Sequence, residues 1–230
     1  MQRGGVNDRW RRDVRVNLPT RATLAAFAVD AYRAAPAGEI VDVREDRFII
    51  TRQQSFNLLA GRGTANFAGW ASDFLIAPRV LKTHPQWGPG EQGFVDGAAL
   101  MWVALKPRLD PAVPIVMSVH SRAAGMAPWL AAEALADGYT VLYVLGLETP
   151  WTAGPDLISF ITARGVQGIQ TINGNDPVPD VPPLHYLRPN VWPILRIGTP
   201  MAWPIACHSV VLVAADLAAL EAPRAPTTEG

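Results

Sequence analysis

The serine at position 121 is the residue whose surroundings point most directly to chemistry. It lies in the stretch PIVMSVHSRAAGMAPW, residues 114–129, where an apolar run ends at a His-Ser pair and is followed by small residues that could begin a helix. A sharp strand-to-helix turn of this kind can present a serine hydroxyl as a nucleophile. Strand and helix pass close at such a turn, so the residues two before and two after should be small, and here they are Val119 and Ala123. The local pattern leaves Ser121 open between a nucleophile and an ordinary strand-end serine.

The composition is that of a globular chain with a neutral overall charge. Of the 230 residues, 49% are hydrophobic and 17% are charged, which is enough to bury the core of one large domain or two small ones. Twenty basic residues balance twenty acidic ones, so the total charge does not indicate nucleic acid as a partner. We expect a small molecule or a protein as the partner, and no cofactor.

The cysteine content and the apolar runs limit the possible disulfides, metal sites and cellular location. The single cysteine, Cys207, excludes an intramolecular disulfide framework and a cysteine-based zinc site, and no metal is expected. No run of about eighteen apolar residues is present, so no membrane span is expected. The first twenty-one residues carry six arginines but no apolar segment follows them, which is unlike a secretory signal. The location stays unknown, with the cytoplasm slightly favoured over export.

The sequence divides into an arm, one domain and a tail. Residues 1–19 are interpreted as a basic N-terminal arm, 20–221 as a single domain and 222–230 as a flexible C-terminal tail. Within the domain, helices are predicted after Thr20 and over 94–105, 125–136, 156–164 and 210–220. Strands are predicted over 47–52, 56–60, 115–119, 140–145, 166–172 and 191–197.

The alternation of these elements predicts an α/β fold. Strands that alternate with helices of about ten to fifteen residues argue for a mostly parallel sheet covered on both faces. The Gly-, Pro- and Trp-rich passage 61–93 is too irregular for one element, and loops of that length are usually functional. Loops at the carboxyl ends of the strands carry the chemistry of such sheets, and Ser121 lies directly after one strand.

Six segments of the sequence share the order and spacing of one known family. They are RGTANFAGWASDF (62–74), GEQGFVDG (90–97), VHSRAAG (119–125), LETPWTAGPDLISFITARG (147–165), INGNDPVPDVPP (172–183) and CHSVVL (207–212). Through them the chain resembles the class 3 lipases, a serine-hydrolase family of the α/β-hydrolase fold, from about residue 26 to 217. The fifth segment is nearly identical to the family's catalytic-acid motif. The resemblance implies a carboxylic-ester hydrolase, a lipase or esterase that works through an acyl-enzyme.

Three side chains acquire catalytic roles by this resemblance. Ser121 would be the nucleophile, His208 the general base and then acid, and Asp176 the carboxylate that orients the histidine. A serine hydroxyl is a poor nucleophile until an imidazole takes its proton. From the residues alone, Asp176 could instead build the Asn-Asp-Pro turn, and His208 could cap or precede the last helix.

The resemblance also implies the groups around the triad. The backbone N–H of Arg122, with the N–H and hydroxyl of Thr64, would bind the oxyanion. The segment after Thr64 corresponds to the family's lid, with Trp70 as its apolar plug. The aromatic residues assigned to the lid and substrate site are Phe67, Trp70, Phe74 and Trp151. These four, together with Trp87 and Trp203, could equally be ordinary core residues.

The other histidines and the cysteine are interpreted as structural. His120 adjoins Ser121 but should point elsewhere, because successive side chains at a strand end diverge. His84 and His185 are expected at the surface, with His185 a reserve base. Cys207 cannot pair with His208, because immediate neighbours cannot form such a pair.

Departures from the family pattern keep other functions open. The family carries glycine where Val119, Ala123 and Ala124 stand, so the turn at Ser121 is expected to form with strain and a positive φ. The main hypothesis is an active hydrolase of a small-molecule ester or lipid substrate. Transient contact with a lipid surface is left as an open question. The alternatives are a catalytically weakened fold that serves for binding or assembly, and an enzyme that uses the same triad on amides, thioesters or acyl transfer.

Overall fold

The computed structural model describes residues 17–63, 77–182, 184–185, 187 and 191–222. Most of the predicted arm and tail therefore lies outside the described residues. The predicted domain begins and ends with helices that contact each other. The Arg21 side chain at the start of the first helix pairs with Glu221 at the end of the last, with Nε and Oε1 2.8 Å apart.

A mixed, mainly parallel sheet forms the centre of the described chain. Its strands are β1 (Glu39–Val43), β2 (Asp46–Arg52), β3 (Asn57–Gly61), β6 (Ile115–His120), β7 (Val141–Leu147), β8 (Gln167–Asn173) and β9 (Ile194–Ile197). They lie in the order β1-β2-β3-β6-β7-β8-β9. The first three pair antiparallel, and from β3 onward every pairing is parallel. A separate two-stranded sheet joins β4 (Pro78–Val80) to β5 (Pro89–Glu91).

Helices cover both faces of the central sheet. They are α1 (Arg21–Asp30), α2 (Gln92–Leu105), α3 (Arg122–Ala136), α4 (Pro155–Ala163) and α5 (Val210–Glu221). Side chains of α2, α3 and α4 form one buried cluster with the sheet, and those of α1 and α5 form a second one. The predicted α/β-hydrolase fold, a mostly parallel sheet between two helical layers, is confirmed. None of the helices described has the length and apolarity needed to cross a bilayer.

Local sequence explains why the central elements form. Every residue of β6, IVMSVH, is buried, as expected for a strand with neighbours on both edges and helices on both faces. The Thr20 hydroxyl caps α1 by accepting from the Thr23 N–H over 3.2 Å. Helix α3 begins at Arg122, three residues before the predicted start, because Ser121 itself ends the strand and caps the helix.

Three short strands were not predicted. β1 lies at the edge of the central sheet with only Val41 fully buried, so its apolar signal is weak. β4 and β5 fall inside the passage interpreted as irregular, and each is only three residues long. An alternating pattern cannot be recognised over so few residues.

Candidate active site

Ser121 forms the turn that joins β6 to α3. Its φ of 57° and ψ of −122° lie outside the regions that residues with side chains usually adopt, which confirms the predicted positive φ. The Ser121 N–H donates to the Leu147 carbonyl over 2.9 Å, and the Gly125 N–H donates to the Ser121 carbonyl over 3.0 Å. The first bond continues the ladder to β7 and the second begins the helix. The chain thus changes from strand to helix at this one residue.

The sheet makes room for Val119, which stands where the family pattern has glycine. Across the parallel ladders, Val119 lies opposite Gly61 of β3 and Gly146 of β7. Residues in register point to the same face of a sheet, so valine meets no side chain from either neighbouring position. Val119 is fully buried within the cluster below α2 and α3. The larger residue therefore fits without preventing the turn.

Ser121, His208 and Asp176 form one chain of hydrogen bonds. Ser121 Oγ lies 2.8 Å from His208 Nε2, and His208 Nδ1 lies 2.6 Å from Asp176 Oδ2. A carboxylate only accepts, so Nδ1 carries a proton, and in the neutral imidazole Nε2 then accepts from the serine hydroxyl. All three residues are buried. Asp176 thus lies on the far side of the imidazole from Ser121.

Asp176 both builds a turn and contacts His208. Its N–H donates to the Asn173 carbonyl over 3.0 Å, and its Oδ1 accepts from the Val178 N–H over 3.0 Å. These bonds fix the loop after β8 and leave Oδ2 directed at His208. The two interpretations left open by the sequence are therefore compatible, because each carboxylate oxygen serves one of them.

Neighbouring side chains hold the backbone that carries His208. His208 ends a short 3₁₀ helix, Pro204–His208, just before α5. The Asn173 side-chain amide donates to the Cys207 carbonyl over 3.1 Å, and His120 Nε2 lies 3.0 Å from the His208 carbonyl. These contacts tie the histidine loop to β8 and to the residue before Ser121.

His120 belongs to a buried network that includes Tyr32. A carbonyl only accepts, so His120 Nε2 carries the proton that bonds the His208 carbonyl. Burial, with His208 as a further cause, holds the pKa of His120 well below its ordinary value, and the neutral ring leaves Nδ1 as an acceptor for the Tyr32 hydroxyl at 2.6 Å. Burial also raises the pKa of Tyr32 to about 12. The Tyr32 oxygen accepts in turn from the Gly63 N–H over 2.8 Å. His120 is thus a structural residue, as expected.

Sequence reasoning missed Tyr32 and Glu148 as residues of the site. Glu148 directly follows β7, has a fully buried side chain, and lies beside Asp176. The sequence signal for Glu148 is an acidic residue directly after an apolar strand. Functional residues of a parallel sheet usually lie at the carboxyl ends of its strands. Tyr32 is far from the site in sequence and has no comparable signal, because its position follows from the packing of α1.

The structure describes only some of the residues assigned to the oxyanion site and the lid. Thr64, Phe67, Trp70 and Phe74 lie outside the described residues. The Arg122 backbone lies in the first turn of α3, where N–H groups lack intrahelical acceptors. Its side chain turns away to Asp46, with Nε and Oδ1 2.7 Å apart.

The remaining aromatic and histidine residues separate by burial. Trp87 is fully buried in the core and stacks on His84, whose ring is half-buried. Trp151 is half-buried on the loop after β7, and Trp203 is 73% exposed ahead of His208. His185 is exposed. The structure thus places Trp87 in the core, which was one of its two interpretations.

Glu148, Asp176 and His208 also form a group of metal-binding residue types within the described chain, with one potential ligand atom from each within 4.8 Å of the others. His208 and Asp176 are already joined through Nδ1 and Oδ2 at 2.6 Å. The pKa of Glu148 is raised well above its ordinary value, mainly by burial. A metal ion would have to displace the proton on His208 Nδ1 and the proton that the raised pKa keeps on Glu148. These residues therefore fit a hydrogen-bonded cluster better than a metal centre.

The chain has an α/β-hydrolase fold, with a Ser-His-Asp chain of hydrogen bonds at the carboxyl edge of its sheet. No protein-family model and no curated protein sequence matches the chain. Solved structures do match. The triacylglyceride lipase of Rhizomucor miehei has a TM-score of 0.56 at 15% identity, and the match covers 72% of this chain and 74% of the lipase.

Two further lipases match to a similar extent. Lipase II from Rhizopus niveus has a TM-score of 0.58 at 17% identity, covering 78% of this chain and 82% of its own. A lipase of Yarrowia lipolytica has a TM-score of 0.59 at 16% identity, covering 77% and 76%. The predicted resemblance to fungal-type lipases is confirmed at the level of the fold.

Proposed function

We propose that the protein is a carboxylic-ester hydrolase of the lipase or esterase type. The observation that carries the proposal is the buried chain of hydrogen bonds from Ser121 through His208 to Asp176, with Ser121 held at a positive φ. The structural likeness to lipases supports an ester as the bond that is cleaved. The altered residues around Ser121 suggested a hydrolase fold with reduced catalytic activity. Because the turn at Ser121 is formed, these residues no longer favour that alternative.

Acylation follows from the protons assigned above. Ser121 Oγ attacks the ester carbonyl carbon, its proton passes to His208 Nε2, and the carbonyl electron pair moves onto oxygen. Asp176 accepts from Nδ1 and so stabilises the imidazolium that forms. When the intermediate collapses, the bond to the alcohol oxygen breaks and His208 gives its proton to that oxygen. The acyl group remains on Ser121.

Deacylation repeats these steps with water. Water gives a proton to His208 Nε2 and attacks the acyl carbon, and Ser121 leaves after taking that proton back. In both steps the negative carbonyl oxygen needs fixed donors. We assign this role to the Arg122 backbone N–H and to Thr64. One such donor typically contributes about 3 kcal/mol of transition-state stabilisation.

Apolar side chains near the site support an ester of an apolar acid as the substrate. Trp203 and Met201 are 73% and 43% exposed on the segment that leads to His208. Large exposed apolar side chains beside a reactive centre suit an acyl chain or a lipid surface. We assign the acyl-binding cleft and its lid to Trp151 with Phe67, Trp70 and Phe74.

Hydrolysis of p-nitrophenyl esters of graded chain length tests the proposal. Ser121→Ala should lower kcat by about five orders of magnitude, and Asp176→Asn by about four, because the triad acts as one unit. A phosphonate that reacts with activated serines should label the wild-type peptide containing Ser121 and leave Ser121→Ala unlabelled. Equal hydrolysis by the wild-type protein and Ser121→Ala at every chain length would overturn the proposal.

The surface contact is tested separately with Trp203→Ser. This change should lower hydrolysis of an emulsified long-chain ester several-fold and leave that of a soluble acetate ester unchanged. Leu220→Ser is a matched control, because Leu220 is also exposed, at 53%, but lies on α5, ten residues beyond the start of that helix. Equal losses on both esters in Trp203→Ser would contradict a role at the lipid surface.

A further inference from the structure

Glu148 occupies an unusual position at the carboxyl edge of the sheet. It is the first residue after β7 and its side chain is wholly buried. Its φ of 54° lies in the left-handed region, which the described chain otherwise shows outside glycine only at Arg44 and Ser121. A bulky acidic residue in that region is strained, and strain of this kind collects at functional sites.

The contacts of Glu148 connect it to the acid loop. The Thr171 hydroxyl donates to Oε1 over 3.1 Å, and the Asn173 N–H donates to Oε2 over 3.2 Å. One carboxyl oxygen of Glu148 lies within 4.8 Å of a carboxyl oxygen of Asp176 and of a ring nitrogen of His208. The two buried carboxyl groups are therefore close enough to interact, and Asp176 contributes, after burial, to the raised pKa of Glu148. The buried carboxyl thus rests directly against the partner of His208.

Two adjacent buried carboxyl groups cannot both be ionised cheaply. The titratable groups that face Glu148 are Asp176, on the loop after β8, and His208, ahead of α5, while β8 contributes only neutral donors. His208 donates to Asp176, so the negative charge belongs on that residue. Burial and then Asp176 raise the pKa of Glu148 well above its ordinary value. A hydrogen bond between the two carboxyl groups therefore needs its proton on Glu148.

We propose that Glu148 is a positioning residue of the triad: it keeps a proton, donates it in a hydrogen bond to Asp176, and so sets the lower end of the pH range for activity. The effect on activity rests on the proposed function. A donated hydrogen bond disperses the charge of Asp176, so the carboxylate holds the imidazolium proton less strongly. His208 then becomes an unprotonated base at lower pH than it would beside an unassisted aspartate.

Two substitutions separate this role from simple packing. Glu148→Gln keeps the shape, the acceptor oxygen and a neutral donor to Asp176, so the acid limb of kcat/KM against pH should stay in place and kcat should remain within about three-fold. Glu148→Leu removes the donor. Its acid limb should move to higher pH by about one unit, with kcat about ten-fold lower.

Glu133→Leu is the matched control. Glu133 lies on α3 beside His84 and its pKa is also raised by burial, but it is not in contact with the triad residues named above. Its removal should leave the acid limb unchanged even if stability falls.

Infrared difference spectra of the wild-type protein and Glu148→Gln test the proton itself without turnover. The wild-type protein at neutral pH should show the carbonyl band of a protonated carboxylic acid, and Glu148→Gln should lack it. A missing band, or an acid limb that moves to lower pH in both Glu148→Gln and Glu148→Leu, would overturn the proposal, because both results mean that Glu148 is ionised in the wild-type protein. An unmoved limb in an active Glu148→Leu enzyme would also overturn it. If no ester is hydrolysed but the band is present, the proton assignment stands and the proposed function fails.

Discussion

Gly63 lies against Ser121 so closely that a Cβ atom on Gly63 would come within 2.6 Å of the Ser121 Cβ and 2.9 Å of its Oγ. Real side chains essentially never approach at such distances. The chain that leaves β3 therefore passes the reactive hydroxyl only because position 63 has no side chain. Tyr32 secures this passage, since its oxygen accepts from the Gly63 N–H.

Gly63→Ala should lower kcat by about a hundred-fold, because a displacement of about 1 Å at the nucleophile is enough for such a loss. Kinetics on a soluble ester measures the effect. Gly138→Ala is the control, since its φ of 87° strains alanine but its Cβ would meet nothing within 4 Å. That variant should lose about 1 kcal/mol of stability and keep its kcat. Equal kcat values for wild-type and Gly63→Ala would show that the contact is not needed.

Tyr32→Phe should lower kcat about ten-fold and the free energy of unfolding by about 1–3 kcal/mol. The change deprives the Gly63 N–H of its acceptor and His120 Nδ1 of its donor. Tyr139→Phe provides the comparison, because the Tyr139 hydroxyl bonds two carbonyls, of Lys106 and Leu109, away from the triad. It should lose stability with no change in kcat. If Tyr32→Phe and Tyr139→Phe both lost kcat in proportion to their loss of stability, the result would contradict a specific role of Tyr32 at the site.

Val119→Gly restores the residue of the family pattern and should not raise kcat. The turn at Ser121 already has its positive φ, and Val119 is fully buried in the core. Its removal should cost about 3 kcal/mol of stability through the cavity and the added backbone freedom. Urea unfolding and kinetics well below the melting temperature measure the two effects. A rise in kcat would mean that valine misaligns the nucleophile.

Glu148→Gln should change the pH dependence of stability in a defined direction. The folded protein keeps the Glu148 proton because its pKa is raised, whereas the unfolded chain loses it above its ordinary value of about 4.3. Between the two values the wild-type protein loses up to about 1.4 kcal/mol of unfolding free energy per pH unit, and the glutamine variant does not. Relative to wild type, Glu148→Gln should therefore gain stability as pH rises above about 5. Parallel curves from urea unfolding at several pH values would contradict this.

Local chemistry explains what could be predicted from the sequence. The buried run before Ser121, the turn-forming residues around Asp176 and the alternation of strands and helices all leave short-range signals. A parallel sheet brings the carboxyl ends of its strands to one edge, so these signals also indicate that the two residues lie near each other. The short strands β1, β4 and β5 were missed because their apolar patterns are too weak or too short.

The sequence by itself thus determined the fold class and the strand-to-helix turn at Ser121, and its resemblance to a known family supplied the candidate nucleophile, acid and base in their chain order. Only the tertiary structure decided that Val119 lies between two residues without side chains, because Gly61 and Gly146 are on two other strands. It also decided that Tyr32 reaches His120 across 88 residues of sequence, and that the carboxyl groups of Glu148 and Asp176 approach within 4.8 Å. These contacts depend on how separate elements pack and on which buried group keeps a proton, and neither property is encoded in a local pattern.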